Sequence, residues 1–264
     1  MNTKNINSDI LSIKEAFNMG FGIYLRNFKG IFLLAALIII PMQVFGLIMQ
    51  DDINYLMLTS VMGIGQNDIH LRLKALVMLL IYAVVFPPLI GGGLGIIIKR
   101  EAESKKASFS DIINSSIGRI FKHIYTALLN FVIVVLGTMF FVFPGVYLGI
   151  VLHAAPNIVG AADNTFGFKA LKESLASLRG LFWKALGLFI IVVLFSQVTI
   201  YIEEYILYLF SNFPGYSFIE EIIVFLFSII NLYFDLAAAL WFLNRYFIYK
   251  NNQGLIPKQN DSNS

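Results

Sequence analysis

The apolar tract at residues 123–162 is about twice as long as one membrane crossing requires, because a hydrocarbon core about 30 Å thick is spanned by roughly 20 helical residues. A chain that carries it must fold the tract back on itself. Its centre reads Phe143-Pro144-Gly145, where proline removes a backbone donor and glycine permits a turn. Two spans, residues 124–142 and 145–162, are therefore expected, joined by a tight hairpin. Four further apolar blocks, at 31–49, 75–98, 184–202 and 222–244, are each about one crossing long. Six spans result. Composition agrees, since 58% of the 264 residues are hydrophobic and only 13% are charged, too few polar side chains to cover a water-facing globule. The fold class is all-α: a polytopic integral membrane protein.

Charge placement tests the hairpin, because Lys and Arg are retained on the cytoplasmic side of a membrane. With six spans and both termini cytoplasmic, only Arg72 and Lys74 of the 19 basic residues fall outside. Treating 123–162 as one span divides them almost evenly between the two sides. The outer segments then collect Asp51, Asp52, Asp68, Glu203, Glu204, Glu220 and Glu221. The polar N-terminus shows no short apolar core with a cleavage site, so no removable signal peptide is expected. Residues 1–250 form one membrane domain in this reading, and 251–264 a disordered cytoplasmic tail. Such a composition suits a bacterial cytoplasmic membrane.

Three amphipathic helices are predicted on the cytoplasmic side. Ile10, Ile13, Phe17, Phe21, Tyr24 and Phe28 recur at helical spacing before the first span; Phe109, Ile113, Ile117, Ile120 and Ile124 do so after the second. Ser108 and Asp111 have the spacing of a capping box there. Phe168, Leu171, Leu175, Leu178 and Phe182 repeat the pattern after the fourth span. The basic residues beside these faces are Arg26 and Lys29, then Arg119 and Lys122, then Lys169, Lys172, Arg179 and Lys184. Their stems can reach lipid phosphate from the headgroup boundary; connectors that only pack against the bundle would show the same period. Each helix leads into a pair of spans, so the chain also parses as three copies of one unit.

Ionisable and amide groups within the spans form a second set of candidates. Gly145, Gly149, His153 and Asn157 fall every fourth residue, and Ser228, Asn231 and Asp235 share a face of the last span. At about 1.5 Å per residue, Asp235, Asn157 and His153 lie roughly 20, 18 and 12 Å from the outer surface. A buried polar site of His153, Asn157, Asn231 and Asp235 is one reading, and interhelical hydrogen bonding that fixes the bundle is the other. Pro87-Pro88 and the glycine run at 91–95 point to kinking and close packing rather than to a phosphate loop.

The segments Phe143-Pro144-Gly145-Val146-Tyr147-Leu148, Ala155-Pro156, Phe168-Lys169-Ala170-Leu171-Lys172-Glu173-Ser174-Leu175 and Arg179-Gly180-Leu181-Phe182-Trp183-Lys184 carry a resemblance. Together with Glu15-Ala16-Phe17 and Arg26-Asn27-Phe28, they resemble the membrane domain that accompanies some bacterial glycerophosphodiester phosphodiesterases, and related six-span bacterial membrane proteins. The resemblance implies the fold and not the catalysis, which in that family belongs to a separate soluble barrel with metal-binding carboxylates. It also implies an acidic residue near Asp163-Asn164.

Several function classes are excluded. A net charge of +3 without a run of like charges does not make a nucleic-acid binder, and the absence of cysteine removes disulfides and thiolate chemistry. No nucleophilic triad, zinc motif or nucleotide fingerprint is present, so no cofactor or metal is expected. The chain reads as a non-enzymatic membrane protein that engages membrane lipid or another amphiphile, as a transporter component or envelope-homeostasis factor. An accessory or immunity-type protein acting through another membrane protein is the alternative.

Overall fold

The computed structural model describes residues 6–7, 9–61, 69–211 and 216–254, with side chains at 50–61, 69–72, 75, 79 and 216–218 left out. Every element among them is helical: α1 (Ile13–Arg26), α2 (Phe28–Val61), α3 (Ile69–Ala102), α4 (Phe109–Ser116), α5 (Ile120–Phe140), α6 (Val142–Val151), α7 (Ala155–Ala161), α8 (Phe168–Ser177), α9 (Phe182–Phe210) and α10 (Tyr216–Asn252). One 3-10 turn, Ile117–Arg119, joins α4 to α5. Six stretches of the described residues are long and apolar enough to cross a membrane: Phe28–Met49, Leu76–Ala102, Phe109–Phe140, Val142–Ala161, Phe182–Phe210 and Ile219–Asn252. Phe140, Phe141 and Leu194 are among many large apolar side chains exposed on the outside of the bundle. Such a surface belongs in hydrocarbon, where helices alone satisfy their own backbone.

The hairpin between the third and fourth spans is present but lies earlier than expected. Phe141 is the extended residue (φ −159°, ψ 142°) that separates α5 from α6, and Pro144 and Gly145 lie inside α6. Proline is tolerated in a first helical turn, where its missing N–H has no acceptor to lose. Gly145 serves approach rather than turning: a β-carbon there would collide with Thr138 of α5. The fourth span also differs from the continuous helix expected over 145–162. It is broken at Leu152–Ala154 between α6 and α7, because Pro156 cannot donate to the Leu152 carbonyl and its ring crowds that turn. Ser174 of α8 donates to the Val151 carbonyl at 2.6 Å, which satisfies one acceptor beside the break.

All three short helices exist, and each packs part of its surface on the bundle. Ser12 and Glu15 cap α1 reciprocally, and Ser108 and Asp111 do the same for α4. On α1 the residues turned inward are Ala16, Gly20, Ile23 and Tyr24, while Phe21 and Leu25, and Phe28 at the start of α2, point out. The expected aromatic stripe is thus divided. Small residues face α10 because they permit close approach, with Gly20 against Ala237. Tyr24 Oη donates to the Ile229 carbonyl at 2.8 Å, and Tyr233 Oη to that of Phe17 at 3.2 Å. α4 buries Ile112, Ser115 and Ser116 and exposes Phe109; α8 buries Ala170, Leu171 and Ser174 and exposes Phe168 and Leu175.

One end of the bundle is a polar network. Arg26 pairs with Glu101 at 2.7 Å, Arg100 with Asp111 at 2.5 Å, and Lys250 with Glu173 at 2.5 Å. Asn244, fully buried on α10, accepts from Leu11 N at 3.1 Å and donates to the carbonyls of Ile6 and Asp9, both at 2.8 Å. Arg245 donates to the Leu11 carbonyl at 2.7 Å. α10 continues through Asn252 and a turn follows it, two residues into the expected tail. Positions 255–264 of that tail lie outside the described residues, as do Asp68 and the side chains of Asp51, Asp52, His70 and Arg72.

Candidate functional site

A cavity of about 640 Å³ opens where the fourth span is interrupted. Its walls come from α3, α5, the α6–α7 break, α9 and α10. Most of the lining is apolar, with Pro87, Pro88, Phe131, Phe189 and Phe242 as its larger members. The polar lining consists of Thr126, Asn130, His153, Asn157, Ser196, Gln197 and Asp235. Irregular backbone at membrane depth is tolerated where it lines a cavity or is buried in protein, and Leu152–Ala154 meets that condition.

Three of the four residues expected to form a buried polar site meet here. His153 sits in the break itself, its ring centroid 6.0 Å from that of Phe189 and 5.7 Å from that of Phe242. Asn157 is buried on α7, and Asp235 projects from the middle of α10 with its side chain exposed to the cavity. Asn231 is not part of the lining. It lies about one turn earlier on α10 with a buried, unpartnered Oδ1, since the span of four residues rotates it about 40° away from Asp235 and past the cavity wall. Ser228, the third member of that face, donates back to the Val224 carbonyl at 2.8 Å.

Asp235 is the only lining residue with a formal charge at neutral pH, and it makes no ion pair with any described residue. An ionisable side chain at the centre of a membrane helix costs roughly 2.5–3.5 kcal/mol on insertion scales and therefore faces water or a bundle interior. The cavity supplies that environment. Thr126 is already engaged, donating to the Lys122 carbonyl and accepting from Gly167 N, both at 2.7 Å. Asn130 has a buried Oδ1 without a partner.

The sequence reading did not single out Thr126, Asn130, Ser196 and Gln197. A signal existed for them: Thr126 and Asn130 are four apart on α5, and Ser196-Gln197 interrupts an otherwise apolar span. Their convergence on Asp235 depends on which helices are neighbours, which periodicity does not report.

The glycine run forms one wall by packing, as expected. Gly91, Gly92 and Gly95 of α3 lie against Pro156, Asn157 and Gly160 around α7, so closely that a β-carbon on Gly95 or Gly160 would meet backbone atoms of the other helix. Gly160→Ala is expected to destabilise the protein by about 1–3 kcal/mol through this overlap. The readout is the midpoint of thermal unfolding in detergent, with Gly187→Ala as the control, because nothing lies within 4 Å of a β-carbon there. Equal midpoints for the two variants would contradict the tight crossing. His123 is fully buried behind this wall and contacts the Ser115 carbonyl through Nε2 at 2.8 Å.

The eight basic residues expected to face headgroups divide into two groups. Arg119 is turned inward: it donates to the carbonyls of Val159 and Ala162 at 3.0 and 3.2 Å and pairs with Asp163 at 2.6 Å, which caps α7. The orphan carbonyls of a helix end attract a guanidinium. Arg26 pairs with Glu101, Lys122 lies over the Phe166 ring at 5.3 Å, and Lys169 donates to the Asn164 carbonyl at 3.4 Å. Lys29, Lys172, Arg179 and Lys184 are exposed.

The Arg119 hydrogen bond, helped by the charge of Lys99, holds the Asp163 carboxyl below its ordinary range. A carboxylate depressed by folding stabilises the protein above its unfolded pKa, and the contribution is lost as pH falls through the lower folded value. Asp163 is well exposed, so the pair contributes only about 0–1 kcal/mol. Unfolding midpoints of the native chain and of Asp163→Asn should differ slightly at neutral pH and converge in acid. A gap that widens in acid would contradict the pairing.

No protein-family model, curated protein or solved structure matches this chain.

Proposed function

We propose that this multi-pass membrane protein is non-enzymatic and takes up an amphiphile, a membrane lipid or a molecule like one, in the cavity at the broken fourth span. Transport or lipid handling in a bacterial cytoplasmic membrane is the corresponding role. The observation that carries the reading is the cavity itself: about 640 Å³, within the range of small-molecule sites, with an apolar lining and a few convergent polar groups. The discontinuous helix beside it is the arrangement in which membrane transporters build midplane sites. The basic end of the bundle is proposed to face the cytoplasm, since Lys and Arg concentrate there. Lys29, Lys172, Arg179 and Lys184, exposed at that end, are proposed to meet lipid phosphate. Membership in the six-span family that the short motifs resemble is part of the same proposal.

The test is occupancy of the cavity. Gly149 lines it, and a β-carbon there would meet only Val134 Cγ1 at 3.9 Å, so Gly149→Phe adds bulk at the cavity wall from a position with room for a β-carbon. The native chain, purified in mild detergent, is expected to retain on the order of one amphiphile per chain by mass spectrometry, as a single site predicts. Gly149→Phe should retain several-fold less. Equal retention by both, without transport in vesicles, would overturn the proposal. Stable co-purification with one other membrane protein instead of an amphiphile would favour an accessory role.

A further inference from the structure

We infer that the cavity selects amphiphiles whose polar end is a monocation, an amine or quaternary onium group, with Asp235 as its counter-ion. This assignment of ligand class rests on the proposed occupancy of the cavity and goes one step beyond it. Asp235 is the sole formally charged group in the lining, and neither Lys nor Arg contributes to any wall. Its side chain is exposed to the cavity rather than folded onto a neighbouring helix, and no described residue neutralises it. An ionised carboxylate in a space of low dielectric acts on charge at short range far more strongly than in water. The cavity therefore favours a cation and rejects an anion.

The surroundings of the carboxylate fit an onium head with hydrophobic substituents. Phe189 and Phe242 pack against the His153 ring along the wall, and Phe131 completes an aromatic lining. Ring faces attract cations that have shed their water, and weakly hydrated onium groups shed it most easily. Gln197 and Ser196 offer neutral hydrogen-bonding groups without competing charge. Phe131, Phe189 and Val193 line the cavity and are substantially exposed, and the cavity is open rather than sealed along the membrane-spanning part of the bundle. A lipophilic cation dissolved in the bilayer has a direct route in.

Tetraphenylphosphonium and tetraphenylborate are of nearly equal size and opposite charge, and equilibrium dialysis against the full chain in detergent, corrected with empty micelles, compares them. The native protein should bind the phosphonium saturably and the borate not at all. Asp235→Asn should weaken phosphonium binding by at least about tenfold, the minimum expected for the loss of a nearby charge at low dielectric, while Asp235→Glu should keep most of it. Equal binding of the two ions by the native chain, a comparison that needs no variant, would overturn the inference. So would unchanged phosphonium affinity in Asp235→Asn. If in those cases Gly149→Phe still loses its co-purified amphiphile, the occupied cavity stands and only the cationic class falls. If Gly149→Phe loses neither, both fall.

Discussion

Replacing Asn244 with leucine is expected to lower the stability of the folded chain by about 2–5 kcal/mol. Asn244 is fully buried, and its amide answers one backbone donor and two backbone acceptors of residues 6–11. Leucine has the same branched heavy-atom skeleton and none of the hydrogen-bonding atoms. Each buried backbone group left without a partner costs roughly 1–3 kcal/mol, and the group at Asp9 is only partly buried, which keeps the total below three full penalties. The N-terminal segment should detach before the bundle unfolds. A fall in the thermal midpoint together with early proteolysis near Leu11 would confirm the latch, and an unchanged midpoint would refute it.

Lys250→Met should cost about as much by a different route. Lys250 and Glu173 tie the end of α10 to α8, with side chains only 13% and 10% exposed. The second carboxylate oxygen of Glu173 is buried without a partner, so the lysine is its main compensation. Removing one member of a buried pair leaves the other charged and alone, at about 3–5 kcal/mol. Replacing both by methionine should recover most of the loss, because an apolar pair of similar volume carries no such penalty. A double variant as unstable as the single one would show that the lysine acts through packing on Tyr246, over which its amine lies at 5.6 Å.

Features that depend on segment length and local chemistry are legible in the amino-acid sequence. The six spans follow from apolar run length and basic-residue asymmetry, and the cap at Ser108 and Asp111 from a spacing of three. Features that depend on neighbours were not. Pro144 marks the region of the hairpin, yet whether it sits in the turn or in the next helix depends on Phe141, which has no turn signature. Pro156 is visible as a proline in a span, but how the break is accommodated depends on Ser174 of α8, which donates to the Val151 carbonyl beside it. Asp235, His153 and Asn157 were brought together by estimates of depth, which is the coordinate that sequence supplies for a membrane helix. Asn231 failed because rotation about the helix axis relative to the other walls decides what faces a cavity. The position of Arg119 at an interface predicts a headgroup contact, whereas the open carbonyls at the end of α7 lie nearer and take the guanidinium.

The joint between Asn244 and the first residues of the chain has a bearing on biogenesis. The groups it links are separated by more than 230 positions, with every other span between them. As the polypeptide leaves the ribosome, the N-terminal segment must wait at the bilayer with its amides and carbonyls hydrated until α10 is inserted. The earlier hairpins can associate on their own schedule, but the strap of residues 6–11 locks only once α10 has been made and inserted. Assembly therefore waits on α10, and a chain arrested before it should be handed to membrane quality control with α1 still loose.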